Sequence, residues 1–203
     1  MAATSALRGY VLPDVPGCPA PMVDRAITVG AREWCDLTQT IRETVSISTV
    51  VGTQGYAVVP ASGYDIARVF SVTYDDTALG PVADSNLQAK LYATGGVPKS
   101  YWMEGNTLYF DLVPQSVVTV LVEVAIKPQI DSPTIPDALA SGEPSLAVAC
   151  RAKRELMMSK AAWGDPQMAQ FFEGEFQRLA RNTVNTDIRN LTNAPLRGKA
   201  VFA

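Results

Sequence analysis

The chain has 203 residues, 47% of them apolar, and a formal net charge of −3. It is long enough to bury roughly 70% of its unfolded surface and too apolar to be disordered over most of its length. No stretch approaches the roughly 20 unbroken apolar residues of a membrane helix. Arg8 is followed by no apolar run of secretory type, so cytoplasmic synthesis without membrane contact is expected. Histidine is absent, which removes the commonest general base, the usual zinc ligand and the pH switch near neutrality.

The chain opens on a proline-rich stretch, Val11 to Asp24, in which Pro13, Pro16, Pro19 and Pro21 fix the backbone. An extended lead-in is expected, with the last two prolines opening a helix because proline in a first turn sacrifices no hydrogen bond. Met22, Val23, Ala26, Ile27, Gly30, Trp34 and Leu37 then recur at helical spacing, which predicts a core helix. From Thr44 to Val51 the period becomes two and the residues β-branched, a half-buried strand. Gly52 and Gly55 punctuate before a second strand at 56–60, and 67–74 alternates again up to a turn at Asp75-Asp76. Residues 86–92 are undecided, with a short helix possible. A hairpin is expected from 100–103 and 107–112 around Glu104-Gly105-Asn106. A long apolar strand at 119–126 closes the β region.

Three prolines between Lys127 and Asp137 make a stiff crossing. Two amphipathic helices follow. The first runs from about Glu143 to Ala162 and is expected to bury Leu146, Ala149, Cys150, the stem of Lys153, Leu156 and Met157. The second opens at Asp165-Pro166, a cap followed by a first-turn proline, and aligns Met168, Ala169, Phe172, Phe176, Leu179 and Ala180. Trp34, Leu156, Phe172 and Phe176 are the expected helix core. The fold class is therefore α+β: helical residues 1–42 and 137–182, an inserted antiparallel β domain at 43–136, and an extended C-terminal arm at 183–203. In the arm Arg189, Arg197 and Lys199 alternate with Leu191, Leu196 and Phe202, the pattern of a terminus ordered by a partner.

Candidate chemistry is sparse. Asp75 and Asp76 are adjacent carboxylates in a turn, where both face water and share no proton. Cys18, Cys35 and Cys150 are far apart in the sequence and odd in number, so a zinc ribbon or redox pair is not expected; small apolar thiols are. No phosphate-binding glycine loop occurs. The cluster Arg151-Ala-Lys-Arg154 spreads around its helix instead of forming one face, which suits a solvated face or an acidic neighbour better than duplex binding. Residues 1–142 carry 8 Lys/Arg against 14 Asp/Glu, net −6; residues 143–203 carry 9 against 6, net +3. No catalytic group, metal or cofactor is expected.

The order of these pieces resembles the head-to-tail adaptor proteins of short-tailed bacteriophages, the tail tubular protein A-like family. The similar pieces are Pro16-Gly-Cys-Pro19, Trp34-Cys35, the step Gly96-Val-Pro-Lys-Ser-Tyr101 with Leu108 to Pro114, Pro136-Asp-Ala-Leu139, and Ala162-Trp-Gly-Asp-Pro166. The resemblance implies a structural subunit of a twelve-fold ring in the virion neck. That ring would sit beneath the portal protein, extend the DNA channel without reading sequence, and present a platform to the tail nozzle and to tail fibres. The C-terminal arm would dock on the portal through Arg189, Leu191, Leu196, Arg197, Lys199 and Phe202, and Asp75 and Asp76 are candidates for the lumen. A tail-fibre adaptor or other tail-completion protein, or a non-catalytic ligand-binding β module using Tyr101 or Trp102, are the alternatives.

Overall fold

The computed structural model describes the backbone of residues 1–82 and 94–192, with side chains up to 187. The expected short segment at 86–92 and arm residues Leu196, Arg197, Lys199 and Phe202 lie outside the described residues. The fold is α+β, and the chain divides into two compact units, Met1–Thr40 with Pro128–Ala203 and Ile41–Lys127.

In the first unit a short strand β1 (Ala2–Ala3) pairs antiparallel with β9 (Thr134–Ile135). The N-terminal stretch departs from the expected extended form. A 3-10 turn at Thr4–Leu7, one helical turn α1 (Arg8–Val11) and a second 3-10 turn at Leu12–Asp14 wind it up. Pro13 falls in the first residues of that second turn, where its missing N–H has no partner to lose. Leu7, Val11 and Val15 are thereby fully buried, so apolar burial overrides the stiffness of the prolines.

Helix α2 (Ala20–Thr38) starts after Pro19 at the N-cap, with Pro21 in its first turn, and stops at Gln39 in the left-handed conformation. It buries Val23, Ala26, Ile27, Gly30, Ala31, Trp34 and Cys35. Met22 and Leu37, expected in that stripe, are instead 45% and 46% exposed, because each is one residue outside the arc that faces the neighbouring helices. Helix α3 (Gly142–Met157) buries Ala147, Val148, Ala149, Ala152, Leu156 and Met157. Leu146 turns outward for the same reason, and Cys150 is half-buried.

Helix α4 (Pro166–Thr192) is capped by Asp165, whose carboxylate accepts the N–H groups of Gln167 and Met168 at 3.0 and 3.1 Å. It buries Ala169, Phe172, Phe176, Leu179 and Ala180, while Met168 is exposed. The helix corrects the expected extended arm over 183–192, where the chain stays helical. That stretch contains neither proline nor glycine, so nothing local stops the helix once it is nucleated.

Among the described residues the second unit forms a seven-stranded sheet of β2 (Arg42–Ser48), β3 (Gly55–Ala57), β4 (Tyr64–Tyr74), β5 (Thr77–Pro81), β6 (Ser100–Glu104), β7 (Thr107–Phe110) and β8 (Thr119–Pro128), in the order β2-β8-β4-β5-β6-β7-β3. The sheet is mixed, not purely antiparallel as expected: β5 and β6 run parallel, Gly80 opposite Ser100. A parallel pair needs a connection of about a dozen residues or more, which the stretch between Pro81 and Ser100 provides. All seven strands feed one apolar cluster, with Tyr56, Val72, Leu79, Tyr101, Leu108, Phe110 and Val122 at its centre and Val45 and Ile47 against it. The sheet therefore curls around its own core.

Two turns set its hairpins. Gly105, at φ +59°, takes the first central position between Glu104 and Thr107, the place type II′ reserves for glycine. Asp75 and Asp76, at φ +46° and +61°, both adopt left-handed backbone between Tyr74 and Thr77, the type I′ geometry for which Asn-Gly is the usual sequence.

Candidate interaction surfaces

The basic cluster of α3 is consumed inside the helical unit. Arg151, 11% exposed, donates from Nε to Glu33 on α2 and from a terminal nitrogen to Glu155 at 3.3 Å. Lys153, 14% exposed, pairs with Asp14 at 2.6 Å and lies 4.8 Å from the centre of the Phe172 ring. Arg154 reaches Glu173 on α4 at 3.5 Å. Three cations thus fasten α3 to α2, to the N-terminal turn and to α4, which is the acidic-neighbour reading and not a surface for a duplex. Arg8 similarly holds Asp24 at the start of α2.

Trp34, Leu156, Phe172 and Phe176 are each buried within the helical unit. Trp34 and Phe176 are fully buried with ring centres 6.3 Å apart, and Nε1 of Trp34 has no hydrogen-bond partner among the described residues. The thiols of Cys18 and Cys150 are pushed above the ordinary range, chiefly by burial, which lowers their reactivity. Among the described residues no group of three or more His, Cys, Asp or Glu side chains is placed to hold a metal ion, and no helix is long and apolar enough to cross a membrane.

The hairpin aromatics do not form a binding platform. Tyr101 is 7% and Trp102 9% exposed. Trp102 stacks on Tyr109 with ring centres 5.3 Å apart and donates from Nε1 to Glu104 at 3.0 Å. Asp111 fixes the start of β6 by accepting the N–H groups of Lys99, Ser100 and Leu112, all within 3.1 Å. Asp75 and Asp76 stand exposed at their hairpin tip.

Two surfaces escaped sequence reasoning. One is a shallow cleft of about 390 Å³ between the end of α2 and the middle of α4, lined by Leu37, Gln177, Ala180, Arg181, Val184 and Asn185. The exposed side of α4 beside it carries Gly174, Arg178 and Asn182. The signal was Leu37 itself, an apolar residue one position outside the buried stripe. The other surface is a pair of loops after β2 and before β8. Thr49 Oγ1 donates to the carbonyl oxygens of Ser116 and Val118 and accepts the N–H of Val118. The Tyr56 hydroxyl pins Val50 and Thr53. These bonds hold Val50, Val51 and Val117 more than half exposed.

Arm residues Arg189 and Leu191 lie on the last turns of α4, beyond the contacts that α3 makes with it through Glu143 and Asn182. From Asp187 to Thr192 the helix runs on for about 8 Å at 1.5 Å per residue.

No curated protein matches the chain. A family model described as SU10 adaptor protein matches residues 3–199, nearly the whole sequence and both compact units. The chain belongs to the SU10 adaptor protein family, a family of bacteriophage adaptors.

Proposed function

We propose that this adaptor is a subunit of a ring seated beneath the portal in the virion neck, of the tail tubular protein A-like type and twelve-fold in the assembled particle. It extends the DNA channel and offers the tail nozzle and tail fibres an attachment platform. The observation that carries the reading is the family match across the whole body of the chain. Its chemistry is in keeping. The buried cations serve internal ion pairs, while Tyr10, Leu37, Ile130 and Phe171 leave apolar surface for neighbours. A closed ring needs two different contact faces on each subunit, and no catalytic group.

The arm joins the ring to the portal through Arg189, Leu191, Leu196, Arg197, Lys199 and Phe202. Deleting residues 193–203 leaves α4 intact to Thr192, so the truncated chain is expected to fold and to lose portal docking. Native mass spectrometry of the full and truncated chains, each alone and mixed with the portal protein of the same phage, checks both parts. Undiminished portal binding by the truncated chain removes Leu196, Arg197, Lys199 and Phe202 from the contact. A full-length chain that ignores the portal altogether moves the assignment to a tail-fibre adaptor.

Asp75 and Asp76 line the lumen in this reading, where like charge keeps passing DNA from adhering. The double substitution Asp75→Asn with Asp76→Gly removes both charges and supplies the preferred type I′ pair. The double variant is expected to gain roughly 0.5–1 kcal/mol in stability, because left-handed backbone is strained for aspartate and free for glycine. In particles it is expected to slow genome ejection. Ejection kinetics equal to wild type would remove these two residues from the lumen.

A further inference from the structure

The segment after β8 makes a tight turn in which Ser132 N–H bonds the carbonyl oxygen of Gln129 at 3.0 Å. Its two central residues are Ile130, 50% exposed, and Asp131, also exposed. The tip is thus an apolar knob with a carboxylate beside it. The turn is held on α2 from below: Thr28 Oγ1 donates to the carbonyl oxygen of Ser132 at 3.2 Å, and the Arg32 guanidinium to that of Pro128 at 2.5 Å. It is therefore presented rigidly, which reduces the ordering cost of any contact it makes.

The cleft between α2 and α4 has the complementary character. Leu37, Ala180 and Val184 form an apolar floor, and Arg181 stands exposed at its rim with no ion-pair partner among the described residues. Leu37 follows Thr28 by nine residues and Arg32 by five. At about 100° per residue those steps place it about 180° and about 140° around α2 from the residues that carry the turn. Knob and cleft thus occupy opposite sides of the same helix. A molecule with complementary features on opposite sides associates head to tail, the heterologous mode that closes rings. A contact pairing one face with itself would need both features on one side.

We propose that the Ile130-Asp131 turn of one copy seats in the α2–α4 cleft of the next, Ile130 on Leu37, Ala180 and Val184, and Asp131 on Arg181. This inference rests on the ring reading above and names the contact that would build it. An apolar anchor in a pocket with a charge pair at the rim is the usual arrangement for specificity at an interface.

The test uses two full-length chains, Ile130→Cys and Val184→Cys, mixed in the presence of the portal protein and oxidised with diamide. Diamide takes the two protons and two electrons released as the thiol pair becomes one disulfide. A covalent dimer is expected from the mixture, and from neither chain alone. A single chain carrying both substitutions is expected to give a ladder of bands ending at the ring number. The exposed Leu146→Cys, paired with Ile130→Cys, is expected to give no dimer. Rings that assemble on the portal without this cross-link overturn the contact and leave the ring reading standing, as does cross-linking of Ile130→Cys to itself. No multi-copy assembly by the wild-type chain under any of these conditions overturns both.

Discussion

Replacing Trp34 by alanine is expected to cost about 3–5 kcal/mol, the range for truncating a large aromatic in a closed core. Trp34 has no exposed surface, packs against Phe176, and sits where α2 meets α4. A typical domain has only about 5–15 kcal/mol of total stability, so the helical unit of the Trp34→Ala chain should be close to its unfolding limit at room temperature. A urea titration followed by far-UV circular dichroism, which reports the helices, measures this. Trp34→Phe is the informative partner. It loses ring volume, yet it also deletes a buried N–H without a partner among the described residues, and that burial costs roughly 1–3 kcal/mol in the native protein. The two effects oppose each other, so Trp34→Phe is expected to lose less than about 1.5 kcal/mol. Equal losses for both variants would mean that the indole N–H is satisfied.

The ion pairs around α3 show that part of the cation surplus after residue 143 turns inward. The surplus of cations after residue 143 reads as a basic face only if those cations meet solvent. Arg151 and Lys153 are largely covered, and their carboxylates come from Glu33 and Asp14, near the other end of the chain. Single-sequence charge counting has no access to such long-range pairing. Pairing of this kind sets the register of three helical elements more than it adds stability, because the desolvation of the cations offsets much of the attraction.

Periodicity made α2, α3 and α4 legible, because each buries a continuous stripe whose spacing matches about 3.6 residues. The failures were at the stripe margins. Met22, Leu37, Leu146 and Met168 are apolar and adjacent to the buried arc, and only the azimuth of the neighbouring helices decides that they face out. The turns at Asp75-Asp76 and Gly105 were legible from local turn chemistry, but the connection expected to span Glu104-Gly105-Asn106 is two residues long, because Glu104 itself pairs with Thr107. The parallel pairing of β5 with β6 was not, since it depends on where a long connection returns and not on any residue in either strand. The N-terminal prolines misled in a related way. They restrict φ to values that also suit 3-10 and helical turns, so an extended form was only one of the conformations they allow. As for surfaces, the cleft beside Leu37 was hidden because it is created by two helices that are far apart in sequence.

Gly30 is the residue on which the α2–α3 packing turns. A Cβ there would stand 2.8 Å from the carbonyl oxygen of Val148 and 3.3 Å from Cβ of Arg151, so the two helices meet closely at a point where only glycine fits. Glycine inside a helix costs about 1 kcal/mol relative to alanine, and this close approach is what justifies it here. Gly30→Ala therefore sets a gain of about 1 kcal/mol in helix propensity against an overpacking cost of about 1–3 kcal/mol. Because the obstacle is backbone, it cannot rotate away, and a net loss of about 1 kcal/mol is expected. Gly30→Leu leaves no such balance: α3 must move off α2, the Arg151–Glu33 pair opens, and a loss of about 3 kcal/mol or more is expected. Gly174 supplies the opposite sign. It lies on the exposed side of α4, where an added Cβ meets nothing within 4 Å. Gly174→Ala should therefore stabilise by about 0.5–1 kcal/mol. Urea midpoints of the three variants decide the matter: a stabilised Gly30→Ala chain would show that α2 and α3 have room to spare at this crossing.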